Sequence, residues 1–167
     1  AVLCISGNIN EVTIRENIEK YFGSIPSGSK PPRMNPSEPK QEEFKSKSID
    51  RDVPANAFYY AFNMGPRKSA DYYLGDIMSD AVGKDNSSIL NVALKKDLEL
   101  VTEISAFITG SLDDGLFIIS GKLAKGISFK ELDKQLWFEL EKIKQTGVEA
   151  EKLVGIKNKI TTAKAFQ

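Results

Sequence analysis

Histidine, which many enzymes use to move protons and to hold zinc, is absent from this chain of 167 residues. A serine or cysteine nucleophile activated by histidine is therefore excluded, as is every zinc site with histidine ligands. The one cysteine, Cys4, cannot form an internal disulfide. It lies in an apolar run, where we expect a small buried side chain in a strand. The sequence thus predicts neither a catalytic residue nor a metal ligand in this chain.

Neighbouring carboxylates are the remaining groups that could serve acid–base chemistry or bind calcium. Asp113 and Asp114 are adjacent, but they precede Gly115 between two β-rich runs, where residues of this type form hairpin turns. Asp76 and Asp80 lie four residues apart on one predicted helical face. No second carboxylate pair is close to them in the sequence, so we expect them to be solvated.

Two further patterns invite comparison with nucleotide and nucleic-acid sites. The stretch 121–126 begins and ends with glycine, but it lacks the P-loop pattern and follows no predicted parallel strand. The aromatic residues Phe58, Tyr59, Tyr60 and Phe62 could stack on bases, yet no basic stripe accompanies them. The 23 basic residues balance 23 acidic ones, and no apolar run approaches the roughly 20 residues of a membrane span. We therefore expect no nucleic-acid partner and no membrane partner.

The elements that position these residues alternate between strands and helices. Strands are predicted at Ala1–Ser6, Glu43–Asp50, Ala57–Met64, Thr102–Thr109 and Leu116–Lys122. Helices are predicted at Asn10–Phe22 and Ser69–Val82, and after Ser87, Ser128 and Glu149. Strands in pairs with helices between the pairs indicate an α+β fold, in which a mostly antiparallel sheet is covered by helices on one face.

Apolar stripes and glycines define the helices more closely. The first helix presents Ile14, Ile18, Tyr21 and Phe22 at the spacing of one buried face, and Gly23 is placed for a left-handed cap. In the second predicted helix we expect Leu74, Ile77, Met78 and Ala81 to be buried and Gly83 to end the helix. Ser128 and Glu131 form a capping box for the helix that ends at Gly147.

The length suits one domain spanning residues 1–167. The chain begins inside a predicted strand, and 163–167 carries neither a cap nor a helix breaker. We therefore expect this domain to be a fragment of a longer chain.

Several segments, taken in order, resemble the second domain of each half of a pitrilysin/insulinase-family zinc peptidase. The opening strand is followed by Gly7-Asn8 and by a helix that closes on Tyr21-Phe22-Gly23-Ser24-Ile25-Pro26. Further on, Ser79-Asp80-Ala81-Val82-Gly83 precedes Ser87-Ser88-Ile89-Leu90, and Gly115-Leu116-Phe117 opens a strand. The resemblance covers nearly the whole chain, and the series of segments is more specific than any one of them.

The resemblance implies a pitrilysin/mitochondrial-processing-peptidase-like domain without a catalytic site. In this family another domain holds the zinc, through an inverted His-x-x-Glu-His helix and a distant glutamate. Two halves close around an extended peptide. The implied role is the non-catalytic substrate-chamber domain of a zinc metalloendopeptidase, with unfolded peptide as substrate and zinc in another domain of the parent protein.

The resemblance also implies two candidate substrate-binding residues. In the half opposite the zinc, the family uses an arginine and, seven residues later, a tyrosine to bind the substrate. Counted from the Ser-Ser-x-Leu start, these positions fall on Lys95 and Thr102. Lysine keeps the charge without the bidentate fork of arginine, and threonine lacks the reach of tyrosine. Solvent exposure on a helix beside Lys96 and Asp97 is the simpler interpretation of Lys95.

Three functions remain open at this stage. In the first, the domain belongs to an active peptidase, and peptide would add a strand at Ala57–Met64 or at Glu43–Asp50. In the second, the parent is an inactive scaffold that pairs with a zinc-bearing paralogous subunit. A stand-alone α+β binding module is the third. The resemblance leaves the compartment open between the bacterial cytoplasm and the periplasm.

Overall fold

The computed structural model describes residues 2–30, 32 and 41–166, without the side chain of residue 164. Residues 1–40 and 41–167 form separate units, and each is described by itself. In the first unit, helix α1 spans Glu11–Phe22. The Asn10 side chain accepts hydrogen bonds from the main-chain N–H groups of Val12 and Thr13, at 3.0 and 3.2 Å. The predicted start of this helix is confirmed.

Other predictions for the first unit are wrong. Gly23 has right-handed φ and ψ of −61° and −29°, because its N–H still donates to Glu19 in the helical pattern. No residue of α1 is buried, so its apolar stripe has no buried face. Within 2–6 there is no strand, and Cys4 is exposed. Apolar residues favour a strand, but only pairing with a neighbouring strand makes one.

The second unit is built on a three-stranded antiparallel sheet. Strand β1 is Ala57–Met64, β2 is Val101–Ile108 and β3 is Gly115–Leu123, in the order β1-β3-β2. The predicted bounds of β1 are confirmed, and those of the other two strands agree within one residue. Glu43–Asp50 is not a strand, and its large apolar residue Phe44 is 71% exposed. That prediction rested on weak alternation around a single large apolar residue.

The second unit also contains helices and two π-helical segments. They are α2 at Ala70–Ser79, the first π segment at Asp80–Lys84, the second π segment at Asn91–Asp97, α3 at Phe129–Thr146 and α4 at Ala150–Ala165. Gly83 therefore lies inside a helical turn instead of ending a helix, and Leu74 is exposed. Ser87 does not act as a cap, because its hydroxyl and N–H both donate to Asp85. The Ser128 cap and the end of α3 at Gly147, with φ +73°, are confirmed.

The core lies on one face of the sheet. Phe58 on β1, Ile104 on β2 and Ile119 on β3 face Leu94 of the second π segment and Leu136 of α3, and all belong to one apolar cluster. The opposite face is open within the second unit: Tyr59 is 75% exposed and Phe107 44%. The α+β fold with helices on one face of an antiparallel sheet is confirmed.

The first π segment approaches β2 closely at Gly83. A Cβ atom on Gly83 would lie 2.4 Å from the Ala106 nitrogen, 2.7 Å from the Ala106 Cβ and 2.9 Å from the Ser105 carbonyl carbon. Backbone atoms cannot move aside as a flexible side chain can. Only glycine therefore permits this packing distance.

We expect Gly83→Ala to lower the free energy of unfolding by about 1–3 kcal/mol, because the added methyl group must push two main-chain segments apart. Chemical denaturation followed by circular dichroism measures the change. Gly155→Ala in α4 is the matched control, since nothing lies within 4 Å of its added Cβ. There alanine should raise stability by about 0.5–1 kcal/mol. Equal effects at the two positions would contradict the steric explanation.

Candidate functional site

The outer edge of β2 is closed by side-chain and main-chain contacts. The buried Asn91 amide donates to the Ile104 carbonyl at 3.2 Å, to the Gly83 carbonyl at 3.3 Å and to the Ser88 hydroxyl at 2.9 Å. Together with the close approach at Gly83, these bonds join both π segments to β2. A further strand therefore has no access to the middle of this edge.

Lys95 and Thr102 flank the turn that leads into β2. Lys95 is half-buried on the second π segment, and Glu99 after it takes a positive φ of 52°. Thr102 is exposed at an irregularity of the β2–β3 register between Val101 and Glu103. Its hydroxyl lies 3.5 Å from the Lys122 carbonyl, which is longer than an ordinary O–H···O bond. The Thr102 hydroxyl is thus available to another partner.

No hydrogen bond or ion pair of the described residues joins Lys95 to Thr102. The structure therefore brings these two positions to the same turn without assembling them into one preformed site. Whether they bind substrate stays a prediction.

An aromatic cluster with one carboxylate lies between β1 and α3. The Trp137 ring meets Tyr60 and Phe62 edge-on, with centroids 6.4 and 6.0 Å apart. The Tyr60 hydroxyl donates to Asp133 of α3. Burial, this hydrogen bond and the Asp133 charge all raise the pKa of Tyr60 far above its ordinary value. Trp137 remains 43% exposed, so the cluster is open on one side.

A cleft of about 300 Å³ separates the loop after the first π segment from α4. The Lys159 ammonium donates to Asp85 at 2.5 Å across it, and Ser87 donates to the other Asp85 oxygen. The bonds from Lys159 and then Ser87 lower the pKa of Asp85 far below its ordinary value, against a smaller effect of burial. The surrounding charges are of both signs, and they define no single ligand.

The remaining candidates have structural roles. Asp80 is not solvated as predicted: its side chain is 10% exposed and pairs with Lys84 at 2.6 Å, whereas Asp76 is exposed. Asp113 and Asp114 are exposed in the turn before β3. Gly121 lies within β3, where a Cβ would meet the Glu103 carbonyl and the Phe58 ring.

Across 2–30, 32 and 41–166, no three cysteine or acidic residues are grouped to hold a metal ion. No helix in this part of the chain is long and apolar enough to cross a membrane.

Comparison with known proteins identifies the family. The family model described as the peptidase M16 inactive domain matches residues 1–160. The chain therefore belongs to the peptidase M16 inactive-domain family, and the resemblance read from the sequence is confirmed. No curated protein matches.

Solved structures share the fold. A protease from Helicobacter pylori superposes with a TM-score of 0.76 over 93% of this chain, at 21% identity. The inactive peptidase domain of a putative zinc protease from Bordetella parapertussis gives a TM-score of 0.56 over 69% of this chain, at 20% identity. A putative zinc protease from Bordetella pertussis Tohama I gives 0.55 over 66%, at 23% identity. The chain spans 38% of the Helicobacter protein and 63% and 62% of the Bordetella chains.

Two features were missed by the sequence reading. Tyr60 and Asp133 are 73 residues apart, and no short motif links them. The burial of the Asn91 amide was only weakly indicated by the sequence, in which Asn91 is a polar residue inside the apolar pattern of Ile89, Leu90 and Leu94. A buried amide at such a position requires partners, and here they are main-chain carbonyls.

We expect Asp85→Asn to lower the free energy of unfolding by about 0.5–1 kcal/mol at pH 7, a small value because Asp85 and Lys159 are partly exposed. The folded-state pKa of Asp85 is depressed, so its contribution is complete above the unfolded pKa of about 3.9 and is lost as the pH falls further. Urea denaturation at pH 7 and pH 2.5 measures this difference.

Lys159→Met should cost a similar amount at pH 7, whereas Lys157→Met, at an exposed position two residues earlier, should have little effect. A cost of Asp85→Asn that is unchanged at pH 2.5 would rule out the ion pair as its cause.

Proposed function

We propose that this chain is the non-catalytic substrate-chamber domain of a longer zinc-dependent metalloendopeptidase. The match of residues 1–160 to the inactive domain of the family carries this proposal. The chain has no histidine with which to hold the zinc. In this proposal another domain of the parent supplies the zinc and activates water, while residues 1–167 form one domain that encloses unfolded peptide.

Lys95 and Thr102 are the proposed contacts to the substrate main chain. The Lys95 ammonium can donate to a peptide carbonyl, and the weakly engaged Thr102 hydroxyl can donate or accept. Both residues would bind the substrate more weakly than the arginine and tyrosine of the family pattern. Lys95 lacks the bidentate fork of arginine, and Thr102 lacks the reach of tyrosine.

An inactive scaffold is the second proposed function. The observation that favours it is the replacement of the arginine–tyrosine pair by Lys95 and Thr102. In that case the parent protein pairs with a zinc-bearing paralogous subunit and cleaves nothing alone. Co-purification with such a subunit, together with no hydrolysis by the isolated parent, distinguishes this function from the first.

We expect the purified full-length protein to contain about one zinc ion per chain, because the family site holds a single metal. Metal analysis of the protein, without added zinc, measures this content. Removal of the metal by a chelator should abolish hydrolysis of an unstructured peptide, and added zinc should restore it. A full-length protein without zinc and without hydrolysis would support the scaffold instead.

We expect Lys95→Ala in the full-length protein to raise KM for an unstructured peptide by about fivefold, with a smaller change in kcat, because it removes a contact made in both the ground and the transition state. Lys96→Ala is the matched control, since Lys96 is the exposed neighbour on the same segment. Equal KM values for the two variants would remove Lys95 from the substrate site.

A further inference from the structure

The side chain of Asn91 joins the two elements that carry Lys95 and Thr102. Asn91 begins the second π segment and is buried, with 5% of its surface exposed. Its amide nitrogen donates to the Ile104 carbonyl on β2 at 3.2 Å and to the Gly83 carbonyl in the first π segment at 3.3 Å. Within residues 41–166, no other hydrogen bond connects the second π segment to β2.

The turn between the second π segment and β2 is a first attachment of these elements. The Leu100 N–H closes it by donating to the Leu94 carbonyl at 2.8 Å. An attachment at one end leaves the segment free to rotate about its axis, and apolar packing has no preferred direction. The Asn91 bonds provide a second attachment about one helical turn earlier. They therefore fix the rotation of the segment and with it the direction of Lys95, four residues after Asn91.

The same bonds hold β2 next to Thr102. The register of β2 against β3 shifts between Val101 and Glu103, so Thr102 is the extra residue of this irregularity. Thr102 and Glu103 are both exposed, although regular alternation would turn one of them inward. A bulge of this kind re-aims a side chain. The Ile104 carbonyl is bound to Asn91 two residues further on, so β2 cannot shift at the irregularity without breaking that bond.

An amide suits this position because one nitrogen carries two hydrogens. The Asn91 nitrogen can thus serve carbonyls of two different elements, and the Ser88 hydroxyl at 2.9 Å is a third acceptor beside it. An ionised aspartate has no hydrogen to donate. Alanine would leave both carbonyls without their side-chain donor.

We infer that Asn91 is a positioning residue: by bonding the second π segment to β2, its amide fixes the directions from which Lys95 and Thr102 together meet the substrate. The inference rests on the proposed role of Lys95 and Thr102 in binding the substrate main chain, and it adds the residue that makes them act as a pair. Asn91 is buried, so it acts through these two residues and not through its own contact with peptide.

A mutant cycle in the full-length protein tests whether Asn91 acts through the pair. We expect Asn91→Ala to raise KM for an unstructured peptide about fivefold and to change kcat less than twofold, because the lost contacts are made in both the ground and the transition state. In a Lys95→Ala/Thr102→Val background, the same substitution should change KM less than twofold. A fivefold increase in both backgrounds, or an unchanged KM in Asn91→Ala alone, would overturn the inference.

Ser79→Ala is the matched control that separates positioning from stability. Ser79 is also a buried polar residue, at 3% exposure, but its hydroxyl donates to the Asp76 carbonyl of its own helix at 2.8 Å. Both substitutions should lower the denaturation midpoint, whereas only Asn91→Ala should raise KM. If Asn91→Ala does not fold, Asn91→Ser, which keeps one donor, should raise KM about threefold. An equal rise in Ser79→Ala would assign the effect to lost stability and overturn the inference.

Methyl NMR tests the positioning without any hydrolysis. Threonine labelled with ¹³C in its methyl group gives a signal for Thr102, which is assigned by its loss in Thr102→Val. We expect Asn91→Ala to lower the order parameter of this methyl group by about 0.2 or more, because β2 is released beside it. Thr146, at the end of α3, is the reference and should keep its value. An unchanged Thr102 order parameter would overturn the inference.

The two measurements separate this inference from the proposed function. Loss of Thr102 order in a parent protein without zinc and hydrolysis would support the positioning role of Asn91 while the proposed peptidase function fails. Zinc-dependent hydrolysis, with KM and the Thr102 order parameter unchanged in Asn91→Ala, would support the peptidase function and overturn the inference.

Discussion

The close packing of Gly83 against the main chain of β2 determines how the second unit is assembled. Because no side chain separates the first π segment from Ala106, the neighbouring Asn91 amide can reach carbonyls on both sides. These contacts fix the second π segment, which carries Lys95, and they lead the chain into β2. The position of the candidate substrate residues therefore depends on a glycine that makes no chemical contribution of its own.

The same packing makes the two edges of the sheet unequal. On β2, helical segments cover the edge and a register irregularity at Thr102 disturbs it, which are both ways in which proteins block unwanted strand pairing. On β1, neither protection is present among the described residues.

Local signals predicted a large part of this fold. Strand β1 was located because Phe58, Tyr60 and Phe62 point one way while Tyr59 and Ala61 point the other. The β2–β3 hairpin was located because Asp114-Gly115 is a turn signal between two β-rich runs. The two π segments were not predicted, since a widened turn depends on packing against β2 and leaves the apolar spacing nearly unchanged. Strands at 2–6 and 43–50 were predicted from composition, but composition cannot supply a pairing partner. The Lys95 and Thr102 positions came from the family resemblance, whereas the Tyr60–Asp133 contact needed the tertiary structure.

Helix α4 is held to the rest of the second unit by few interactions. Of its residues with described side chains, Ile156 alone is buried, and its ion pair to Asp85 is partly exposed. The free energy required to detach such a helix is a small part of that required to unfold the sheet and α3. Amide hydrogens of α4 should therefore exchange with solvent through local opening, while those of β3, between two strands, exchange only when the whole unit unfolds. We therefore expect two levels of cooperativity in the second unit, with α4 opening while both sheet edges stay intact.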